Sequence, residues 1–237
     1  MDVPGIPRPV LVALIAVAVV LFACGAAWAL SWATHHNDTH TRVLPAGSAI
    51  EVASRHSDIE VVGSDRSDVL LTTKERRSVF GRPHVHVRYA DGHLRLDADC
   101  SGAQVFGDSC SARFLLEVPR AMAVRLAASS ADVHAVDVSG RLSVHVSSGD
   151  IHVDAPSTDI VAQTSSGDIH VRASDATSVR AVATSGDVHV SVPDRTYAVR
   201  TRSTSGDQSV HVREDARSPR HLDAETTSGD VHVESYG

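Results

Sequence analysis

Five histidines recur at one position of a repeating pattern: His134, His152, His170, His189 and His232 each stand two residues after an aspartate. Neutral imidazole ligates transition metals and titrates near neutral pH, so such a column has two chemistries open to it, metal binding and proton sensing. Two imidazoles on neighbouring strands, with Asp154 or Glu234 adding an oxygen, would suit Zn²⁺ or Ni²⁺. A selective site needs three or four converging groups, whereas a flat row presents about two from one side. The five histidines are therefore candidate ligands at most, the alternative being a tolerated outward position, and no resident metal or other cofactor is expected. Stacked imidazolium groups repel, so acid is expected to weaken whatever holds the row.

The aspartates belong to Ser-Gly-Asp corners at Gly149-Asp150, Gly167-Asp168, Gly186-Asp187, Gly206-Asp207 and Gly229-Asp230, with a degenerate copy at Ser130-Ala131-Asp132. The glycines advance by 18, 19, 20 and 23 residues. A period of this length marks stacked rungs of a single-stack β-solenoid and defines an all-β fold class. Glycine adopts positive φ without a Cβ penalty, and Ser and Asp side chains bond backbone amides that a sharp corner leaves unpaired. One structural role thus accounts for all three residue types, and these positions are read as turns.

Strand alternation assigns the faces. Eight and six residues before each aspartate come Leu142 and Val144, Ile160 and Ala162, Val179 and Ala181, Val199 and Thr201, and Leu222 and Ala224. One and three residues after it come pairs such as Ile151 and Val153. Both sets should point inward, leaving the histidines outside. The Asp207 copy departs from the pattern, because Gln208-Ser209 precede Val210-His211-Val212. A two-residue insertion or a bulge is expected there, and an insertion would return His211 to the column. Ser57-Asp58, ahead of Ile59-Glu60-Val61, reads as an eroded first rung.

The Ser-Gly-Asp-Ile/Val-x-Val units, the lead-in Val118-Pro119-Arg120 and the apolar N-terminal segment together resemble the bacterial putative-adhesin family of β-strand-repeat domains. The resemblance spans about residues 48 to 234 and is carried mainly by the last 120 or so. It implies an exported β-solenoid tethered to the cell envelope, and it brings no catalytic residues.

Val10 to Trp32 carries no charged side chain over 23 residues, long enough for one transmembrane helix. Arg8 before it and the tryptophans at its far end place the N-terminus inside and the large domain outside. A cleaved signal at Ala27-Trp28-Ala29 and a lipid anchor through Cys24 are the alternatives, and each exports the domain. The expected organisation is a cytoplasmic tail over 1–9, a membrane helix over 10–32, a linker over 33–45, an irregular β region with a hairpin near Ala90-Asp91-Gly92 over 46–120, and regular repeats over 121–237. Cys100 and Cys110 frame a short loop that an oxidising compartment would close as a disulfide.

Net charge is −7 with histidine neutral, which argues against nucleic acid as a partner. Polysaccharide cleavage would need two carboxylates gathered in a cleft, but the recurrent aspartates are committed to corners, and Arg180, Arg200 and Arg202 lack a distinct acidic cluster opposite. The expected function is that of a non-catalytic, single-pass, adhesin-like module, presenting an extended surface to an envelope protein or glycan. Envelope-stress sensing through a membrane partner, or metal- or pH-responsive binding by the histidine row, is the alternative.

Overall fold

The computed structural model describes residues 37–76, 82–90, 93–101 and 111–237, all strand, turn or irregular backbone. Among them no helix is long and apolar enough to cross a membrane, and the 10–32 segment lies outside them. The strands are β1 (Asn37–Leu44), β2 (Ala49–Ser54), β3 (Ile59–Ser64), β4 (Val69–Arg76), β5 (Arg82–Ala90), β6 (His93–Ser101) and β7 (Ser111–Pro119). Then follow β8 (Ala123–Ser130), β9 (Val133–Val136), β10 (Leu142–Ser148), β11 (Ile151–Ala155), β12 (Asp159–Ser166), β13 (Ile169–Ala173), β14 (Ser178–Ser185) and β15 (Val188–Pro193). The chain ends with β16 (Thr196–Ser205), β17 (Gln208–His211), β18 (Arg213–Glu214), β19 (His221–Ser228) and β20 (Val231–Tyr236).

Each rung is a pair of strands joined at a corner, one strand in each of two ten-stranded sheets. Rungs stack in parallel and in register: Leu142 lies beside Ile160, and Ile151 beside Ile169. The expected inward residues line the space between the sheets, with Leu142, Val144, Ile160, Ala162, Val179, Ala181, Leu222 and Ala224 all buried. A narrow core of Val, Ile, Leu and Ala suffices because each rung contributes its own apolar pairs. Burying one such aliphatic side chain is worth about 1.5–3 kcal/mol. The largest fully buried side chain among the described residues is Tyr197, whose hydroxyl donates to the Pro193 carbonyl at 3.0 Å.

Rung order in space departs from rung order in sequence at both ends. The Asp230 rung (β19–β20) sits between the Asp187 rung and the Asp207 rung, so the Asp207 rung closes the stack. The 23-residue interval between Gly206 and Gly229 is the path that steps back over one rung. At the other end the Asp58 rung (β2–β3) lies between the β6–β7 rung and the Asp132 rung, pairing Ile59 with both Phe114 and Val133. Asp58 therefore takes a full place in the array.

The Asp207 copy holds neither an insertion nor a bulge. Gln208 pairs with Val231, Ser209 with His232 and Val210 with Val233 in unbroken register. Its divergence follows from its place at the end, where one face meets no further rung and inward Val199 and Thr201 are only half-buried. A polar closing rung of this kind is what a solenoid needs for solubility.

In the N-terminal half one expectation fails and one holds. Residues 37–44, inside the expected linker, form β1, which pairs antiparallel with β4. The polar composition that suggested a tether suits a sheet edge equally well. The expected hairpin is the antiparallel β5–β6 pair, its tip at residues 91–92 outside the described residues.

Candidate functional site

The corners form first, because they align everything displayed beyond them. Gly149, Gly167, Gly186, Gly206 and Gly229 have φ between 133° and 150°. A Cβ at Gly167 would come within 2.2 Å of the Gly149 carbonyl oxygen, and one at Gly186 within 2.1 Å of that of Gly167. Glycine is required twice over at these positions, for its φ and for the closeness of the neighbouring rung.

The aspartates work between rungs and leave the amides of their own turn alone. The N–H of Asp150 donates to Asp132 Oδ1 at 2.9 Å, that of Asp168 to Asp150 Oδ1, and that of Asp187 to Asp168 Oδ1, the last two at 2.8 Å. The series continues through Asp230 on Asp187 and Asp207 on Asp230, and starts with the Asp132 N–H on Asp58 Oδ1 at 3.3 Å. Flanking residues pair by backbone alone, as in Gly149 N–H to Ser166 O and Ile151 N–H to Asp168 O, both 2.9 Å. The carboxylate thus collects the one amide that the corner turns away from the ladder. Hydroxyls of Thr226 and Ser203 donate to the Gly186 and Gly229 carbonyls at 2.9 and 2.8 Å.

This alignment stacks the five histidine rings. Centroids from His134 through His152, His170 and His189 to His232 are 4.9, 4.8, 5.0 and 4.7 Å apart, with interplanar angles of 14–22°. His134 is exposed and the other four are half-buried. Glu60 occupies the next place beyond His134, and Ser209 the place beyond His232. His211 lies instead beside Glu234, in the next outward column. Glu60 escaped sequence reasoning because its rung neighbour is 74 residues away.

Face-to-face stacking bears directly on metal binding. Ring nitrogens of parallel imidazoles point in parallel planes nearly 5 Å apart, whereas two nitrogens on one Zn²⁺ need bonds of about 2.0–2.1 Å converging on a point. The rings would have to rotate out of the stack to chelate. Among the described residues no group of three or more His, Cys, Asp or Glu side chains is placed to hold an ion.

A groove of about 340 Å³ runs beside the stack, between the histidines and the outward column Val136, Asp154, Arg172 and Ser191. His152 Nδ1 is buried there and has no hydrogen-bond partner among the described residues. Arg172 lies over the Tyr236 ring at 4.5 Å from its centroid. Burial, and next the imidazoles of His152 and His189, lower the pKa of His170, while Asp168 and Asp150 pull in the other direction.

The remaining singled-out residues take structural places. Arg180 pairs with Asp223, and Arg200 with Glu225 at 3.7 Å, so acidic partners do stand beside this arginine column. Arg120 of the Val-Pro-Arg lead-in donates to Asp65 at 3.0 Å and meets Asp137 at 3.4 Å, which raises its pKa above the ordinary arginine value. Asp137 is the one non-glycine among the described residues with positive φ, 57°. The expected Cys100–Cys110 disulfide, like Cys24, falls outside what is described, because Cys110 lies beyond the described residues.

Two sheets of rungs stacked in parallel, bordered by antiparallel strands at one end, with glycine-aspartate corners and no gathered catalytic group among the described residues, define a repeat-built β-solenoid. The chain belongs to the Toastrack DUF4097 family, whose model matches residues 116–234. Its fold is similar to that of a putative cell adhesion protein from Clostridium sporogenes, at 8% identity and a TM-score of 0.50, covering 85% of this chain and all of that one. A putative adhesin from Bacteroides fragilis aligns at 13% identity and a TM-score of 0.47, covering 84% and 97%. Comparison with curated proteins returns no match.

Proposed function

We propose that this chain is a non-catalytic, membrane-tethered envelope module that presents its solenoid faces to an envelope protein or glycan. One observation carries most weight: the polar groups that a hydrolase would gather in a cleft are spread one per rung and already engaged, the aspartates with backbone amides and Arg180 and Arg200 with acidic side chains. General acid–base catalysis needs one exceptional local site, and a uniform array lacks it. A solenoid instead offers an extended surface whose units contact only their neighbours. The apolar segment 10–32 supplies the tether, with the C-terminal domain on the extracytoplasmic side, and the resemblance in fold to proteins described as adhesins agrees with this role.

Co-purification of the full chain from mild detergent tests the proposal. Retention of cell-wall or other envelope material is expected. Retention of one stoichiometric membrane protein and nothing else would favour envelope-stress sensing. A second reading, pH-responsive binding along the histidine row, is favoured by the groove beside the stack and the unpartnered His152 Nδ1.

A further inference from the structure

The outer face of the other sheet carries a feature that neither the repeat nor the histidines explain. Arg88 on β5 and Arg95 on β6 are directly opposite one another on paired antiparallel strands, and both are exposed. Like charges in that relationship are unfavourable. Several other outward arginines are compensated: Arg113, Arg141, Arg180 and Arg200 each meet an aspartate or glutamate. Arg88, Arg95 and the nearby Arg125 make no ion pair among the described residues.

Register shows what surrounds them. Arg95 lies beside Ala53, Ala53 beside Ala127, and Ala127 beside His145, so the arginine pair and a histidine bound a floor of two alanines. Two grooves of about 290 Å³ each flank Arg95 and share Ala53 as floor. Arg88 and Glu51 line the first, and His145 lines the second. Small side chains here leave room that larger residues fill elsewhere on the face.

We propose that this saddle binds a carboxylate-bearing polysaccharide, one sugar carboxylate being clamped between Arg88 and Arg95. A guanidinium presents a planar fork of donors that matches a carboxylate, and two forks across one strand spacing of about 4.8 Å suit a single anionic group. Glu51 lines the same groove, and its negative charge disfavours multiply charged groups such as phosphate. Nucleic acid fits poorly, because no Phe, Tyr or Trp side chain lines either groove for base stacking. The inference rests on the proposal that the domain presents a binding surface, and it names the ligand class and the place.

The test uses the full chain in mild detergent, titrated with oligogalacturonate, with neutral dextran of similar length and with polyphosphate. Oligogalacturonate is expected to bind and dextran not, and added salt should weaken the binding. The double substitution R88A/R95A should cost at least about tenfold in affinity with an unchanged melting temperature, while R202A at the far end keeps wild-type binding. If the double variant does not fold, R95Q carries the same comparison. Absence of oligogalacturonate binding, undiminished binding by the variant, or polyphosphate binding as tightly would overturn the assignment. A chain that captures envelope material equally well with and without R88A/R95A loses this site but keeps its presenting role, and one that captures none loses both.

Discussion

The backbone N–H of Asp168 donates to Oδ1 of Asp150 on the preceding rung, at 2.8 Å. The bond spans 18 residues of sequence and one strand spacing, and its repetition from Asp58 to Asp207 ties seven corners into one line. Because each histidine lies two residues beyond such an aspartate, the ring stack inherits its register from the carboxylate row.

Replacing Asp168 by alanine removes the acceptor for the Asp187 N–H and leaves a half-buried amide unpaired. The expected loss is about 1–3 kcal/mol in denaturant unfolding. Asp168→Asn keeps an oxygen at the same place and should lose much less. Equal losses in the two variants would remove the acceptor role.

Gly167→Ala should be worse. Its φ of 134° is unfavourable for an L-residue, and the added Cβ meets backbone, which cannot rotate away. Strain of this kind costs on the order of 1–3 kcal/mol before any displacement of the neighbouring rung. Thermal unfolding should show a clear drop, whereas an unchanged melting temperature would mean that the corner adopts another conformation.

Acid should destabilise the domain through the histidine stack. Burial, followed by the neighbouring His152 and His189, depresses the pKa of folded His170 despite Asp168 and Asp150, whereas an unfolded histidine titrates near 6.5. The unfolded chain therefore binds the proton first. Stability is full above the unfolded value and is lost as pH falls through the folded one. Each adjacent pair of charged rings adds repulsion of about 1 kcal/mol even in water-like screening. The melting temperature should fall between pH 7 and pH 5, and His170→Gln should flatten that dependence. A melting temperature constant across the range would contradict the mechanism.

Tyr197 anchors the closing rung. Tyr197→Phe, which loses the bond to the Pro193 carbonyl, should cost about 1 kcal/mol. Tyr197→Ala should cost about 3–5 kcal/mol by opening a cavity. Hydrogen exchange would be expected to rise first in β16 and β17.

Local periodicity made the rungs legible. Alternation around each Ser-Gly-Asp placed Leu142, Ile160 and Val179 inside and the histidines outside, because strand faces and corner conformations are decided within a few residues. Rung order was not legible. Whether Val188 stacks on Gln208, the next copy in sequence, or on Val231 depends on a connection that steps over a neighbour, which local periodicity does not encode. The opposition of Arg88 and Arg95 was hidden likewise, since it arises from hairpin register and from a β6–β2 contact between distant segments.

The proposal of a presenting, non-catalytic surface is tested most directly by incubating the full chain with isolated envelope polysaccharide and measuring bound protein and polymer length together. Saturable binding with polymer length unchanged is predicted. Progressive shortening of the polymer, or no saturable binding to any envelope fraction, would contradict it.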